Sequence, residues 1–177
     1  MSLASILLLD QATKLVVEHT VPLYRSIAVI RDFFDITHIK NPGAAFGLFA
    51  GDVGFGRMFF FTIFTGAAIV LILIMFRRIE ENRVLLPLCL GMILAGAIGN
   101  LVDRFRLGYV TDFLDFYWNQ YHWPAFNIAD SAITAGIFLL IIEVLWGDRK
   151  RDKKNRDGKA FFPGTSDDSN KPFLDEV

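Results

Sequence analysis

At 177 residues with 53% apolar side chains and a mean hydropathy of +0.41, the chain has room for one ordinary domain and is too oily for most water-soluble folds. The net charge of −1 offers no argument for a nucleic-acid partner, and none is expected. Cys89, the single cysteine, lies in an apolar run, which excludes a disulfide framework and Cys-based metal spacing and argues against redox chemistry.

In chain order, the first apolar segment covers about residues 2–19. As a helix, Leu3 to Val17 rises only about 22 Å, short for about 30 Å of hydrocarbon. The opening "MSLASILLLDQATKLVV" lacks the basic start and small-residue cleavage site of an export signal, so it is expected to be retained. Residues 20–54 contain "AVIRDFFDITHIKNPGAAFG", whose Val, Ile, Phe and Thr suit a short strand pair ending in the "NPG" turn.

Segments at about 55–76, 84–106 and 125–146 each reach the roughly 20 residues that a membrane crossing needs. The expected fold is an all-α membrane protein of four transmembrane helices, with a small extracytoplasmic β platform in the first outer loop. Arg77, Arg78 and Arg83 mark the second connection, and Arg149, Lys150, Arg151, Lys153, Lys154 and Arg156 mark the tail. Cations near membrane ends are retained in the cytoplasm. Both termini are therefore expected there, with residues 20–54 and 107–124 outside. Tyr117, Trp118, Tyr121 and Trp123 read as an aromatic belt at headgroup depth. Residues 1–147 form the expected membrane domain, and 148–177 have too few apolar residues to fold and are expected to be a disordered cytoplasmic tail.

Ionisable groups inside the bilayer are expensive, and each needs a reason. Asp10, Thr13 and Lys14 fall at i, i+3 and i+4, with Asp10 and Lys14 able to pair. Asn100, Asp103 and Arg104 repeat the spacing, Asp103 and Arg104 being a second candidate ion pair, and Asn127, Asp130, Ser131 and Thr134 form a third polar stripe. Gly91, Ala95 and Gly99, four apart, suit a close-packing face. Ser131, Thr134 and Thr13 are expected to join helices through buried hydrogen bonds.

Asp112 and Asp130 have no obvious cation at i±3 or i±4, and both fall at the outer rim, where water and a polar substrate arrive. Two adjoining carboxylates share a proton, one acting as acid while the other activates water. No HExxH pattern joins His19, His38 and His122, and no serine sits in a G-x-S-x-G elbow, which argues against zinc and serine hydrolysis. Two other classes remain open on the residues alone. One is a small proton- or ion-coupled transporter with Asp10, Asp103, Asp112 and Asp130 as relay sites, though the inward "LLPLCLGMILAG" offers it no path. The other is a membrane adaptor, which would tolerate Asp112→Asn.

"LDQATK" at 9–14, "KNPGAAFG" at 40–47, "GAIGNLVDR" with "GYVTDF" over 96–113, and "FNIADSAI" at 126–133 together resemble the lipoprotein signal peptidases, the signal peptidase II family, over residues 9 to about 146. The resemblance implies a bacterial inner-membrane, multi-pass aspartyl endopeptidase that needs no metal or cofactor. It would cut a diacylglyceryl-modified prolipoprotein just before its lipidated cysteine, among membrane lipids and near the outer face. It also implies inhibition by globomycin-type cyclic peptides. By motif, Asp112 and Asp130 match the catalytic dyad, while Asp10, Lys14, Asn41, Asn100, Arg104 and Asn127 match residues that line and support the site. Asn100 and Asn127 are expected to hold the dyad, Arg104 to grip a substrate carbonyl, and the "NPG" loop to cover the site. The chain departs from the family pattern in its short first helix before Asp10 and its long charged tail.

Overall fold

The computed structural model of the chain describes residues 2–43, 55–79 and 83–161. Helix α1 spans Leu3–Thr20 and starts at Ser2, whose hydroxyl accepts the backbone N–H of Ser5, satisfying one of the donors that a helix start leaves free. Its buried face is Ile6, Asp10, Lys14 and Val17, the i, i+4 stripe of a helix packed on one side. Leu8 and Val16 on its other side are exposed, as residues facing lipid would be. Strands β1 (Ser26–Ile30) and β2 (Phe34–Asn41) follow, then helices α2 (Phe55–Phe76) and α3 (Leu85–Leu107). Gly108, in the left-handed region at φ 80°, closes α3 by donating its N–H to the Arg104 carbonyl, the turn glycine makes at least cost. Strands β3 (Val110–Trp118) and β4 (Tyr121–His122) lead to helix α4 (Ile128–Phe161).

Among the described residues, three helical stretches are long and apolar enough to cross a membrane: Met58–Phe76, Leu85–Leu107 and Ile128–Leu145. The chain is a multi-pass membrane protein. Helix α1, with 18 residues that include Asp10, Lys14 and Glu18, is not among those stretches.

The antiparallel sheet runs β1-β2-β3-β4. The strand pair expected in residues 20–54 is present, with Asp32 at φ 63° in its turn. The platform is not confined to that loop, however. The second outer connection, residues 107–124, read as an aromatic belt, supplies β3, paired along β2 from Phe34↔Phe116 to Asn41↔Val110. "VTDFLDFYW" is β-branched and aromatic, the composition that a half-buried pleated surface favours, and those same aromatics made it read as a belt.

Residues Met1–Ile141 form one compact unit and Ile142–Val177 a second. In the second, helix continues to Phe161, so residues 148–161 are helical where disorder was expected. The stretch "DRKRDKKNRD" is strongly charged and has no apolar residue. Its Lys and Arg residues nevertheless have high helix propensity. The remaining tail, 162–177, lies outside the described residues.

At its glycines helix α3 lies close against both α4 and α1. A methyl group at Gly96 would overlap the Ala129 carbonyl, and one at Gly99 would overlap the Asp10 carboxylate. The expected face through Gly91, Ala95 and Gly99 is thus displaced. Ala95 and Gly99 are buried, but Gly91 looks into open space, because the α3 face turns toward Gly96 as the contacts pass from α1 to α4.

Candidate active site

The first polar cluster is built on α1. Lys14, fully buried, places its ammonium 2.9 Å from Asp10 Oδ2, 2.9 Å from Asp103 Oδ2 and 3.0 Å from Asn100 Oδ1, to which it donates. All three of its protons are used, as a buried ammonium requires. The expected Asp10–Lys14 pair is present. The expected Asp103–Arg104 pair is not the one formed: Asp103 turns to Lys14, and Arg104, one position along the helix and about 100° round it, donates to its own Asn100 carbonyl at 3.2 Å and lies 5.9 Å from the Phe61 ring centre. Asp10 Oδ1 accepts the Ala129 N–H at 2.8 Å, which joins α1 to the first turn of α4.

The second cluster holds the two candidate acids. Asn127 precedes α4 and caps it reciprocally: its Oδ1 accepts the Asp130 N–H at 2.9 Å, and its own N–H donates to Asp130 Oδ2 at 3.3 Å. This is the capping-box geometry with Asn and Asp in its two places. The Asn127 amide also donates to Asp112 Oδ1 at 2.7 Å and to Asn100 Oδ1 at 3.3 Å, while Asn100 Nδ2 donates to Asp130 Oδ1 at 2.7 Å. Asn41, at the end of β2, donates to Asp112 Oδ2 at 2.8 Å and accepts the Gly43 N–H at 2.9 Å across the start of the "NPG" turn. Seven of the expected residues, Asp10, Lys14, Asn41, Asn100, Asn127, Asp112 and Asp130, thus form one continuous hydrogen-bond network. Arg104 borders it through the Asn100 carbonyl. Any cover by the "NPG" loop lies outside the described residues beyond Gly43.

Burial on β3 pushes the Asp112 carboxyl up to about 7, and the neighbouring Asp130 charge pushes the same way; the Asn41 and Asn127 donors and Lys14 oppose them. Desolvation and a like charge both disfavour the ionised form. Asp112 therefore exchanges its proton closer to neutral pH than a free aspartate does, as a group used in general acid–base chemistry would. His38 and His122 serve elsewhere: His38 Nδ1 lies 2.8 Å from the Val21 carbonyl, and His122 Nδ1 lies 3.0 Å from Asp115.

Sequence reasoning missed Gln11, Glu18 and Thr111. Gln11 Nε2 reaches Asp10, the Gly99 carbonyl and Asp103 at 3.1, 3.2 and 3.1 Å; it lies beside the Asp10–Lys14 stripe rather than on it, so the i, i+4 pattern passes over it. Thr111 was hidden because its strand was.

The Signal peptidase (SPase) II family profile matches residues 2–146. The lipoprotein signal peptidase of Desulforapulum autotrophicum is 51% identical over 141 residues, 80% of this chain and 87% of the relative. That of Geobacter metallireducens is 46% identical over 149 residues, 84% of this chain and 91% of the relative. A solved bacterial membrane enzyme, determined by the in meso method at 2.3 Å, superposes with a TM-score of 0.72 at 34% identity, covering 81% of this chain and 84% of that one. Fold and site together define a multi-pass membrane enzyme with two networked carboxyl groups. The chain belongs to the signal peptidase II family and is a peptidase.

Proposed function

We propose that this chain is a metal-independent aspartic endopeptidase that removes the signal peptide of a diacylglyceryl-modified prolipoprotein immediately before the lipidated cysteine, with Asp112 and Asp130 as the catalytic pair. The observation that carries the reading is the Asp112–Asn127–Asn100–Asp130 chain of hydrogen bonds, which ties two acids from different elements into one unit. Asp112, the acid raised to about 7, gives its proton to the scissile carbonyl oxygen. Asp130 takes a proton from water as the water oxygen attacks the carbonyl carbon; as the C–N bond then breaks, Asp130 gives that proton to the leaving amine and Asp112 takes one back from the collapsing diol hydroxyl. Arg104 is assigned to hold a substrate carbonyl.

In the same reading all four helices cross the bacterial inner membrane. Both termini and the Arg77, Arg78 and Arg83 connection lie in the cytoplasm, and the sheet and the site lie at the outer face among lipid headgroups. This arrangement lets a lipid-anchored substrate meet water and carboxylates at one depth.

The test is purified protein in detergent with a diacylglyceryl-cysteine peptide and its unlipidated counterpart, in the presence of a chelator. Cleavage of the lipidated peptide alone is expected, with inhibition by globomycin. Asp112→Asn and Asp130→Asn should each lower turnover on the order of 10²- to 10⁴-fold, the range a lost general acid or base spans. Near-normal turnover in either variant removes the dyad, and metal-dependent recovery after chelation replaces it with another hydrolase chemistry.

A further inference from the structure

Of the residues around Asp112, Thr111 is the one whose every polar group is committed to a different element. Fully buried on β3, it donates its N–H to Asp103 Oδ2 of α3 at 3.2 Å and its hydroxyl to Glu18 Oε1 of α1 at 2.9 Å, and its carbonyl accepts from Asn127, the cap of α4, at 3.4 Å. Glu18 Oε1 is itself fixed by Arg106 Nη2 of α3 at 2.8 Å. Across the sheet Thr111 is paired with Lys40, whose ammonium lies 4.6 Å over the Tyr109 ring.

We infer that Thr111 is a positioning residue for the peptidase reaction, and that its hydroxyl bond to Glu18 sets the strand from which Asp112 projects. Successive side chains on a strand point to opposite faces. The hydroxyl bond therefore locks β3 from the face opposite the one that carries the Asp112 carboxylate, where Asn41 and Asn127 already hold it. Three backbone and side-chain anchors from α1, α3 and α4 meet at one residue, so the rotation of the strand at Thr111 is fixed by the same helices that hold Asp130. Loss of the hydroxyl frees that rotation without touching either acid, and displacements of about 1 Å cost on the order of 10²-fold in rate where reacting groups must align. Glu18 keeps its Arg106 partner in that event, so no charge is left alone.

The inference rests on the dyad reading and is tested beside it. Thr111→Val keeps the β-branched shape that strands favour and removes only the hydroxyl; Thr111→Ser restores the hydroxyl on a smaller side chain. With the full chain in detergent and the lipidated peptide, Thr111→Val is expected to lower kcat by roughly 10- to 100-fold with little change in KM. The high-pH limb of kcat should move to lower pH, because a loosened Asp112 gains water; the groups facing it, Asp130 from α4, Lys14 from α1 and Arg104 from α3, stay in place. Thr111→Ser should recover most of the loss, and Glu18→Ala should reproduce Thr111→Val. Wild-type kcat in Thr111→Val, no recovery with Ser, or a loss that follows the folded fraction with the pH limb unmoved would each overturn the inference while Asp112→Asn remains inactive. A wild-type chain that leaves the lipidated peptide intact overturns the dyad reading instead.

Discussion

A carboxyl raised to about 7 stays protonated over much of the range in which a free aspartate has ionised, and this has two measurable effects. The peptidase activity that uses the proton should decline as pH rises past about 7, read as the high-pH limb of kcat/KM; a flat profile up to pH values well above that would move the proton elsewhere. Stability follows the same group with a definite sign. The native state binds a proton more tightly than the unfolded chain, so between about pH 4 and pH 7 stability falls as pH rises, and the penalty is complete above that window. Asparagine carries no such penalty. The thermal midpoint of Asp112→Asn relative to wild type should therefore climb with pH across that window, a trend that is independent of whatever the exchanged amide costs against Asn41 and Asn127.

At the scale of the element, the helices were largely legible because their spacing is regular. The i, i+4 placement of Asp10 and Lys14 announced a pair that the structure contains at 2.9 Å. What the spacing concealed was the third partner: Asp103 comes from another helix, and no local pattern reports a contact 89 residues away. Strand β3 was illegible for a different reason, since aromatic and β-branched residues between two apolar helices suit either a membrane belt or a sheet, and only pairing with β2 decides. Two substitutions weigh these elements. Lys14→Met leaves Asp10 and Asp103 buried without their cation, and breaking such a buried ionic group costs about 3 to 5 kcal/mol; a sharp fall in thermal midpoint is expected, larger than that of any single platform substitution. Gly99→Ala drives a methyl into the Asp10 carboxylate and should cost about 1 to 3 kcal/mol as an overpacked contact, whereas Gly91→Ala meets nothing and should leave the midpoint unchanged.

On the scale of the whole molecule, every residue assigned to the site lies within Met1–Ile141, and the second compact unit, Ile142–Val177, contributes none. A chain ended after Gly147 should keep wild-type turnover of the lipidated peptide; a loss of kcat with the protein still folded would give the charged segment a part in the reaction. The candidate site was legible in the sequence as a set of residues and not as an arrangement, because its acids sit on two elements separated by a hairpin whose existence the sequence left undecided.

Asn127 both starts the last helix and grips Asp112, and this has a consequence for biosynthesis. A polypeptide still emerging from the insertion machinery, with its final span not yet docked, owns one acid but neither its mate nor the amide that aligns them. On the proposed dyad, proteolytic competence is expected only once topogenesis is complete, and a stalled or half-inserted chain is expected to be inert toward the membrane around it.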